Sequence, residues 1–253
     1  MQNHTPQHEE KQHNPDYGYD SAHPGFEPQA AAVAIDQAGL ASYLAKVFGW
    51  MFLGLFLTAA TSYIVLGNGD IFYAIRPWVF PLMLVELGLV WFLASRIHSM
   101  STTTCTISFF VYSFLNGLTI APILASYTPA SVASVFMITS GTFGLMAVYG
   151  LTTKKDLTSM GSILLMGLVG LILAMVVNIF MQSGMFSLII SCIAVFIFVG
   201  LTAYDAQKIK EQYITGMEYS ETGHKLAIMG ALMLYLDFVN LFLHLLNLLG
   251  NRD

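Results

Sequence analysis

Charged side chains are scarce in this sequence: Asp, Glu, Lys and Arg together make up 10% of its 253 residues. Soluble domains carry about 25% charged residues. Hydrophobic residues make up 56% of the chain, and the mean hydropathy is +0.66. These values exclude an ordinary soluble domain and indicate an integral membrane protein.

Cysteine is also rare, since the chain has only Cys105 and Cys192. Neither has a second ligand at metal-binding spacing, and nothing indicates a disulfide framework. The formal net charge of −5 comes mainly from acids near the start of the chain: Glu9, Glu10, Asp16, Asp20, Glu27 and Asp36. The apolar part is nearly neutral, so the charge balance does not indicate a nucleic-acid partner.

A secretory signal is not evident, because the first 30 residues are polar and acidic and lack a basic start with an apolar core. The composition of residues 1–41, rich in Gln, His, Pro and Asn, predicts a disordered cytoplasmic tail. Its histidines suggest a metal site, but their irregular spacing and the intervening prolines favour a solvated tail: His4, His8, His13 and His23. Residues 42–253 are predicted to form a single transmembrane domain.

Seven apolar spans follow the tail, each about as long as the roughly 20 residues a membrane helix needs. They run over Val47–Leu66, Trp78–Ser95, Cys105–Tyr127, Ala130–Leu151, Leu157–Met181, Met185–Tyr204 and Leu226–Leu249. This pattern predicts an all-α membrane protein with seven transmembrane helices. The links are short, except for residues 205–225, and short links make consecutive helices antiparallel neighbours.

The distribution of Lys and Arg predicts the orientation of the chain in the membrane. With the N-terminus in the cytoplasm, most basic residues are cytoplasmic: Lys11, Lys46, Arg96, Lys154, Lys155, Lys208, Lys210 and Lys225. Only Arg76 and Arg252 then lie outside. The asymmetry predicts a cytoplasmic N-terminus and a periplasmic C-terminus.

Small residues recur in the fourth, fifth and sixth spans: Ser140, Gly144, Gly167, Gly170 and Gly200. Small side chains let two membrane helices approach closely. We expect these positions to lie at helix–helix contacts.

The last span carries a polar stripe made of Asp237, Asn240, His244 and Asn247. At about 100° per residue, the i, i+3, i+7 and i+10 spacing places these side chains on one side of a helix. Such a stripe cannot face lipid and must face protein or water. The last helix is therefore predicted to be central in the bundle, with the other helices around it.

Three acids occur in or at the end of apolar spans: Glu86, Asp205 and Asp237. An ionisable residue in a membrane helix is by default a candidate functional group. Glu86 is interpreted either as a pore-lining acid or as a hydrogen-bond donor to a neighbouring helix. Asp237 is the strongest candidate, because Asn240 and His244 on the same stripe are further candidates for lining a pore.

Two long motifs resemble those of the Bax inhibitor-1 (TMBIM) family, in its bacterial branch. One is the run 234–242 around Asp237, LYLDFVNLF, and the other is the run 200–209 around Asp205, GLTAYDAQKI. Gly49-Trp50 at the start of the first span and residues 149–157 after the fourth also fit the family. The resemblance covers about residues 40 to 250.

The resemblance implies a seven-helix fold with a central last helix, in the bacterial inner membrane. It implies a pH-sensitive calcium leak channel in which Asp205 and Asp237 form a paired-aspartate sensor that binds the calcium ion. It also implies a basic latch from the second helix onto Asp205, for which Arg96 is the candidate here. Some bacterial members resemble regulators of a membrane-bound protease, so a non-conducting modulator of another membrane protein is the alternative.

Elementary electrostatics is compatible with this interpretation. Two carboxyl groups in a site of low dielectric titrate as a coupled pair, and calcium, which prefers oxygen ligands, could replace their shared proton. However, Asp205 ends its predicted span at the interface, whereas Asp237 lies in the middle of the last span. The two meet only if the sixth helix tilts or the 205–225 link dips inward.

Enzymatic readings fit less well. Tyr204-Asp205 matches one half of the intramembrane aspartyl protease signature, but Asp237 lacks the Gly-x-Gly that precedes the second aspartate. A retinal-type Schiff base needs a lysine in the middle of a helix, and every lysine here lies in the tail, in a link or at a span end. We therefore expect no enzymatic activity and no cofactor.

Overall fold

A computed structural model describes residues 28–97 and 99–252, with side chains described from residue 37 onward. Within these residues the fold is entirely helical, apart from an isolated bridge between Tyr127 and Arg252. The α-helices are α1 Pro28–Gly67, α2 Gly69–Ile75, α3 Val79–Arg96, α4 Thr102–Leu124, α5 Pro129–Thr152, α6 Thr158–Met181, α7 Gly184–Glu211 and α8 Glu221–Leu249. Short 3-10 helices span Arg76–Trp78 and Met217–Tyr219.

Seven helical segments of the described chain are long and apolar enough to cross a membrane, which confirms the predicted fold class. The second crossing is composite, because α2, a 3-10 turn and α3 together form the segment Gly69–Arg96. The first helix starts earlier than predicted, since α1 begins at Pro28 and includes residues assigned to the disordered tail. The rest of that tail, with its four histidines, lies outside the described residues.

Hydroxyl and amide side chains fix where several helices begin. Ser101, Thr128, Ser183 and Ser220 precede α4, α5, α7 and α8, and each accepts a hydrogen bond from a backbone N–H of the first turn. Such capping satisfies N–H groups that have no partner within the helix. The residue that precedes each of these four helices therefore caps the helix that follows it.

The helices differ sharply in how much of their apolar surface is buried inside the protein. In α8, 67% of the most apolar stretch is buried, against 6% in α6 and 11% in the second crossing. Helix α8 packs against α7 and α1 and also contacts α5 and α4, whereas α3 packs mainly on α4 and α6 mainly on α7. Thus α8 is the inner helix of this packing, and α3 and α6 present most of their surface to lipid. The position of α8 at the centre of all six other membrane helices stays a prediction.

Close contacts between helices occur at glycines that differ partly from those expected. Gly144 and Gly170 face open space, so the prediction that they lie at helix contacts is wrong. Gly200 does lie against Leu164, and Gly167 against Ile197. The tightest approach in the middle helices is at Gly150 of α5, where a Cβ atom would overlap the carbonyl oxygen of Ala203 in α7. This contact positions the segment of α7 that carries Asp205.

Gly150→Ala is expected to destabilise the protein by about 1–3 kcal/mol, because the added methyl group overpacks against backbone that cannot rotate away. Gly144→Ala on the same helix is the matched control, since its methyl group would enter open space. Unfolding of both variants in detergent, followed by circular dichroism, measures the difference. Equal stability of the two variants would contradict the close α5–α7 approach.

Candidate functional site

Asp205 lies inside a helix rather than at its end. The sequence predicted that the sixth span ends at Tyr204, but α7 continues to Glu211, which places Asp205 six residues before the helix terminus. Its side chain is buried, with 9% of its surface exposed. The predicted helix end at Tyr204 is therefore wrong, because the charged segment after Asp205 keeps helical structure instead of forming the link. The depth of Asp205 in the membrane stays a prediction.

Asp237 of α8 meets Asp205 across the α7–α8 contact. Asp237 is 4% exposed, and its carboxyl group and that of Asp205 act on each other electrostatically. Among the described residues, Oδ2 of Asp237 is buried with no hydrogen-bond partner. Two ionised carboxylates are acceptors only, so a hydrogen bond between them would require one shared proton.

The end of α7 is anchored to the connection between α5 and α6. Gln207 donates from Nε2 to the carbonyl oxygen of Lys155 at 2.8 Å and accepts from the N–H of Leu157 at 2.8 Å. Lys210 donates to the carbonyl oxygen of Leu151 at 2.7 Å. These bonds fix the turn of α7 that follows Asp205 against α5 and the connection after it. They therefore help to position the carboxyl group of Asp205.

The connection between α5 and α6 is ordered by its own local bonds. Oδ1 of Asp156 accepts from the backbone N–H of Thr158 at 2.8 Å, at the start of α6. Hydrogen bonding from Thr158 lowers the pKa of the Asp156 carboxyl. The ionised carboxylate therefore favours the turn against which Gln207 is bonded.

Glu86 of α3 belongs to a second buried polar cluster, separate from the aspartate pair. Its carboxylate accepts from Nδ2 of Asn116 at 3.1 Å and from the hydroxyl of Thr119 at 2.8 Å, both on α4. Tyr235 of α8 donates to Oδ1 of Asn116 at 3.0 Å, and its hydroxyl lies 2.6 Å from Oγ1 of Thr58 on α1. Glu86 thus accepts hydrogen bonds from a neighbouring helix, and the cluster joins four helices.

Sequence reasoning did not find the partners of Glu86. Asn116 and Thr58 are polar residues within apolar spans, and Tyr235 lies two positions before Asp237. Each can be recognised in the sequence as an isolated polar side chain within an apolar span. Nothing in the sequence shows that three different spans bring them together. Only the packing of α1, α4 and α8 does so.

The remaining polar residues of the α8 stripe line a cavity of about 770 Å³ at the end of the bundle that carries Arg252. Asn240, His244 and Asn247 all face it. Nδ1 of His244 lies 3.1 Å from the Ser191 hydroxyl, and Nδ2 of Asn247 donates to the same hydroxyl at 2.8 Å. The predicted stripe therefore serves two sites, with Asp237 at the carboxyl pair and the other members at the cavity.

The lining of this cavity also differs from the sequence interpretation. Neither Glu86 nor Asp237 is among its lining residues, which come from the end of α4, from α6, α7 and α8, and from Arg252. The hypothesis that Glu86 shares one cavity with the stripe is not supported, because Glu86 on α3 bonds to α4 and does not line the cavity. A pore-lining role for Asn240 and His244 stays a prediction.

Comparison with known proteins identifies the family. The family model described as "Inhibitor of apoptosis-promoting Bax1" matches residues 40–253. The chain belongs to the Bax inhibitor-1 family. The match includes both aspartate motifs and confirms the resemblance seen in the sequence, and it begins after the predicted tail.

Relatives in this Bax inhibitor-1 family come from distant bacteria. The chain is 41% identical over 230 residues to "Inner membrane protein YbhL" of Escherichia coli (strain K12), covering 89% of this chain and 98% of the relative. It is 42% identical over 212 residues to an uncharacterized protein of Deinococcus radiodurans, covering 84% of this chain and 91% of that one. An uncharacterized protein of Rickettsia prowazekii is 42% identical over 217 residues, covering 85% of this chain and 91% of the relative. With the seven spans, these similarities support a multi-pass protein of the bacterial inner membrane.

The basic latch implied by the Bax inhibitor-1 resemblance is not formed in the structure. Within the described residues, the ion pair present joins Lys225 to Glu221, and Arg96 makes none with Asp205. The cation that acts electrostatically on Asp205 is Lys208, one turn further along α7. Arg96 is unpaired with Asp205 because α3, which ends at Arg96, packs mainly on α4, and the latch role of Arg96 stays a prediction.

The carboxyl pair offers a cation few ligands. In the described part of the chain, no group of three or more His, Cys, Asp or Glu side chains is arranged to hold a metal ion. Calcium takes six to eight oxygen ligands, and Asp205 and Asp237 supply at most four. A calcium ion bound here would need further oxygen ligands from water or the backbone.

Proposed function

We propose that this protein is a pH-sensitive calcium leak channel of the inner membrane, gated by Asp205 and Asp237. The observation that carries the proposal is the pair of buried carboxyl groups, Asp205 on α7 and Asp237 on α8, which act on each other across the α7–α8 contact. An acid pair in low dielectric binds protons in coupled steps. A proton and a calcium ion would compete for the same oxygens, and this competition links the leak to pH.

The large cavity supplies part of the route for the ion. It extends from Arg252 to Asn240, which lies three residues after Asp237 in α8, or about 4.5 Å along the helix. Amide and hydroxyl oxygens line it at Asn240, Asn247 and Ser191. The barrier to permeation is therefore proposed to be the short stretch that includes the carboxyl pair.

A hydrolytic role for the pair is less well supported. Intramembrane proteolysis requires substrate backbone to approach the second aspartate, and the side chains of Leu234, Tyr235 and Leu236 are packed just before Asp237. Leu234 and Tyr235 are fully buried. We propose that the pair binds protons and cations and that the protein is not an enzyme.

The decisive experiment is calcium efflux from liposomes that contain only the purified full-length protein, measured at several pH values. The proposal expects an efflux that exceeds that of empty liposomes and changes with pH. If the protein passes no calcium at any pH, the proposal is wrong. The alternative function, a non-conducting modulator of another membrane protein such as a membrane-bound protease, would then be favoured.

A further inference from the structure

A second cavity adjoins the first at the Arg252 end of the bundle. It has a volume of about 240 Å³ and is lined by Gly184, Ser187, Leu188, Asn247 and Arg252. Ser187, Asn247 and Arg252 line the larger cavity as well. The two cavities therefore meet at the guanidinium group, and among the described residues Arg252 is the only charged one that lines either of them.

Arg252 is exposed and hydrogen-bonded, and it has no carboxylate partner among the described residues. It donates to Oδ1 of Asn247 at 2.7 Å and to the hydroxyl of Tyr127 at 3.4 Å, and its guanidinium lies 5.6 Å from the centre of the Tyr127 ring. Among the described residues, no carboxylate lies within ion-pairing distance of it. A positioned guanidinium without a carboxylate partner is suited to a phosphate group.

The surroundings of Arg252 favour an anion over a cation. None of the residues that line the two cavities is acidic. Asn247 and Ser187 provide polar groups next to the guanidinium, with Nδ2 of Asn247 donating to Oγ of Ser187 at 3.1 Å. A cation would find no opposing charge at this end of the cavity, whereas a phosphate oxygen would find a cationic donor.

The walls of the cavities favour a lipid over a small soluble anion. Met175, Ile179 and Leu243 line the larger cavity, and Leu188 lines the smaller one. Ile179 is 62% exposed and Leu188 is 41% exposed, so the walls continue into the apolar outer surface of α6 and α7. The site lies beside the last turns of α8 and reaches Arg252 just after it, and lipid headgroups are expected where a membrane-spanning helix ends.

From these observations we propose that the site at Arg252 binds an anionic phospholipid, with its headgroup phosphate on the guanidinium and an acyl chain along Ile179. The phosphodiester is held by Arg252 and Asn247, and the glycerol backbone occupies the smaller cavity. This inference does not rest on the proposed channel function, because lipid binding is measurable without ion flux. In a conducting protein, the bound headgroup would narrow the wide end of the cavity.

The test measures lipid bound to the purified full-length protein by native mass spectrometry. Phosphatidylglycerol and phosphatidylcholine are added at equal concentrations, with soluble glycerol phosphate as a separate arm. We expect phosphatidylglycerol to bind in preference, and Arg252→Gln to weaken its binding about tenfold, as expected for loss of a charge-assisted hydrogen bond. Asn247→Asp should weaken it similarly, because the new carboxylate would neutralise Arg252 in place.

Arg76→Gln is the matched control. Arg76 lies in the connection between α2 and α3, at the same end of the bundle as Arg252, and lines neither cavity. Thermal unfolding of all variants verifies that they are folded. Equal losses in Arg252→Gln and Arg76→Gln, or equal binding of the two lipids, would overturn the proposal. If soluble glycerol phosphate displaces the lipid at equal concentration, the site binds free anions and the assignment to a phospholipid is wrong.

Discussion

Replacing either Asp205 or Asp237 by Asn is expected to abolish the pH response of calcium leak. Asn retains the size and hydrogen-bonding capacity of Asp but cannot bind or release a proton near neutral pH. Because the two buried carboxyl groups act on each other electrostatically, removing either one removes the coupled titration. The double variant should therefore add little to either single change, since the effects of groups that act as a unit are not additive.

The measurement is calcium efflux from liposomes between pH 6 and 8 for the wild type, both single variants and the double variant. The wild type is expected to change its rate with pH, whereas the ratio of rates at the two ends should approach one in each variant. Glu211→Gln is the matched control, because Glu211 is an exposed carboxylate at the end of the same helix. Single variants with a normal pH response, or with effects that simply add, would show that the two aspartates are not one sensor.

Tyr235→Phe is expected to lower the free energy of unfolding by about 2 kcal/mol. The hydroxyl of Tyr235 is fully buried and joins Asn116 on α4 to Thr58 on α1. Its loss leaves an acceptor of Asn116 buried without a donor, and an unsatisfied buried polar group costs about 1–3 kcal/mol. Tyr63→Phe on α1 is the control, because Tyr63 is 79% exposed and its change should stay within about 0.5 kcal/mol.

Unfolding in mixed detergent measures this difference, and equal stability of the two tyrosine variants would contradict a structural role for the cluster.

Glu86→Gln, tested for stability in detergent and for calcium efflux from liposomes, separates the two interpretations of Glu86. Reduced stability with unchanged calcium efflux would make Glu86 a structural partner of Asn116 and Thr119. Altered efflux with unchanged stability would support a pore-lining role.

The pattern of apolar spans was sufficient to predict the fold class, because a bilayer of fixed thickness allows few alternatives. Each span must satisfy its backbone hydrogen bonds internally, so a run of about 20 apolar residues indicates a helix whichever segments pack against it. The polar side of α8 followed from the same logic. The observed burial of α8, the highest of the seven crossings, agrees with that expectation.

Helix ends were predicted less well, because polarity marks the edge of the bilayer and not the end of a helix. Residues 205–211 are mostly polar or charged, yet they continue α7. Gln207 bonds to the connection between α5 and α6, and Lys210 bonds to the last turn of α5. The early start of α1 at Pro28 has the same cause, because helical structure continues outside the apolar span. The extension of α7 to Glu211 places Asp205 inside its helix.

The sequence by itself determined the seven crossings and the family, and it singled out the two aspartates proposed as the sensor, since each is a local pattern of residues. Only the tertiary structure decided which of those residues meet. It brings Asp205 to Asp237, joins Glu86 to Tyr235 through Asn116, and leaves Arg96 away from Asp205. The physical reason is that a lipid-facing helix and an inner helix are almost equally apolar, so hydropathy does not encode which helices are neighbours. Close approaches such as Gly150 against Ala203 set those neighbours.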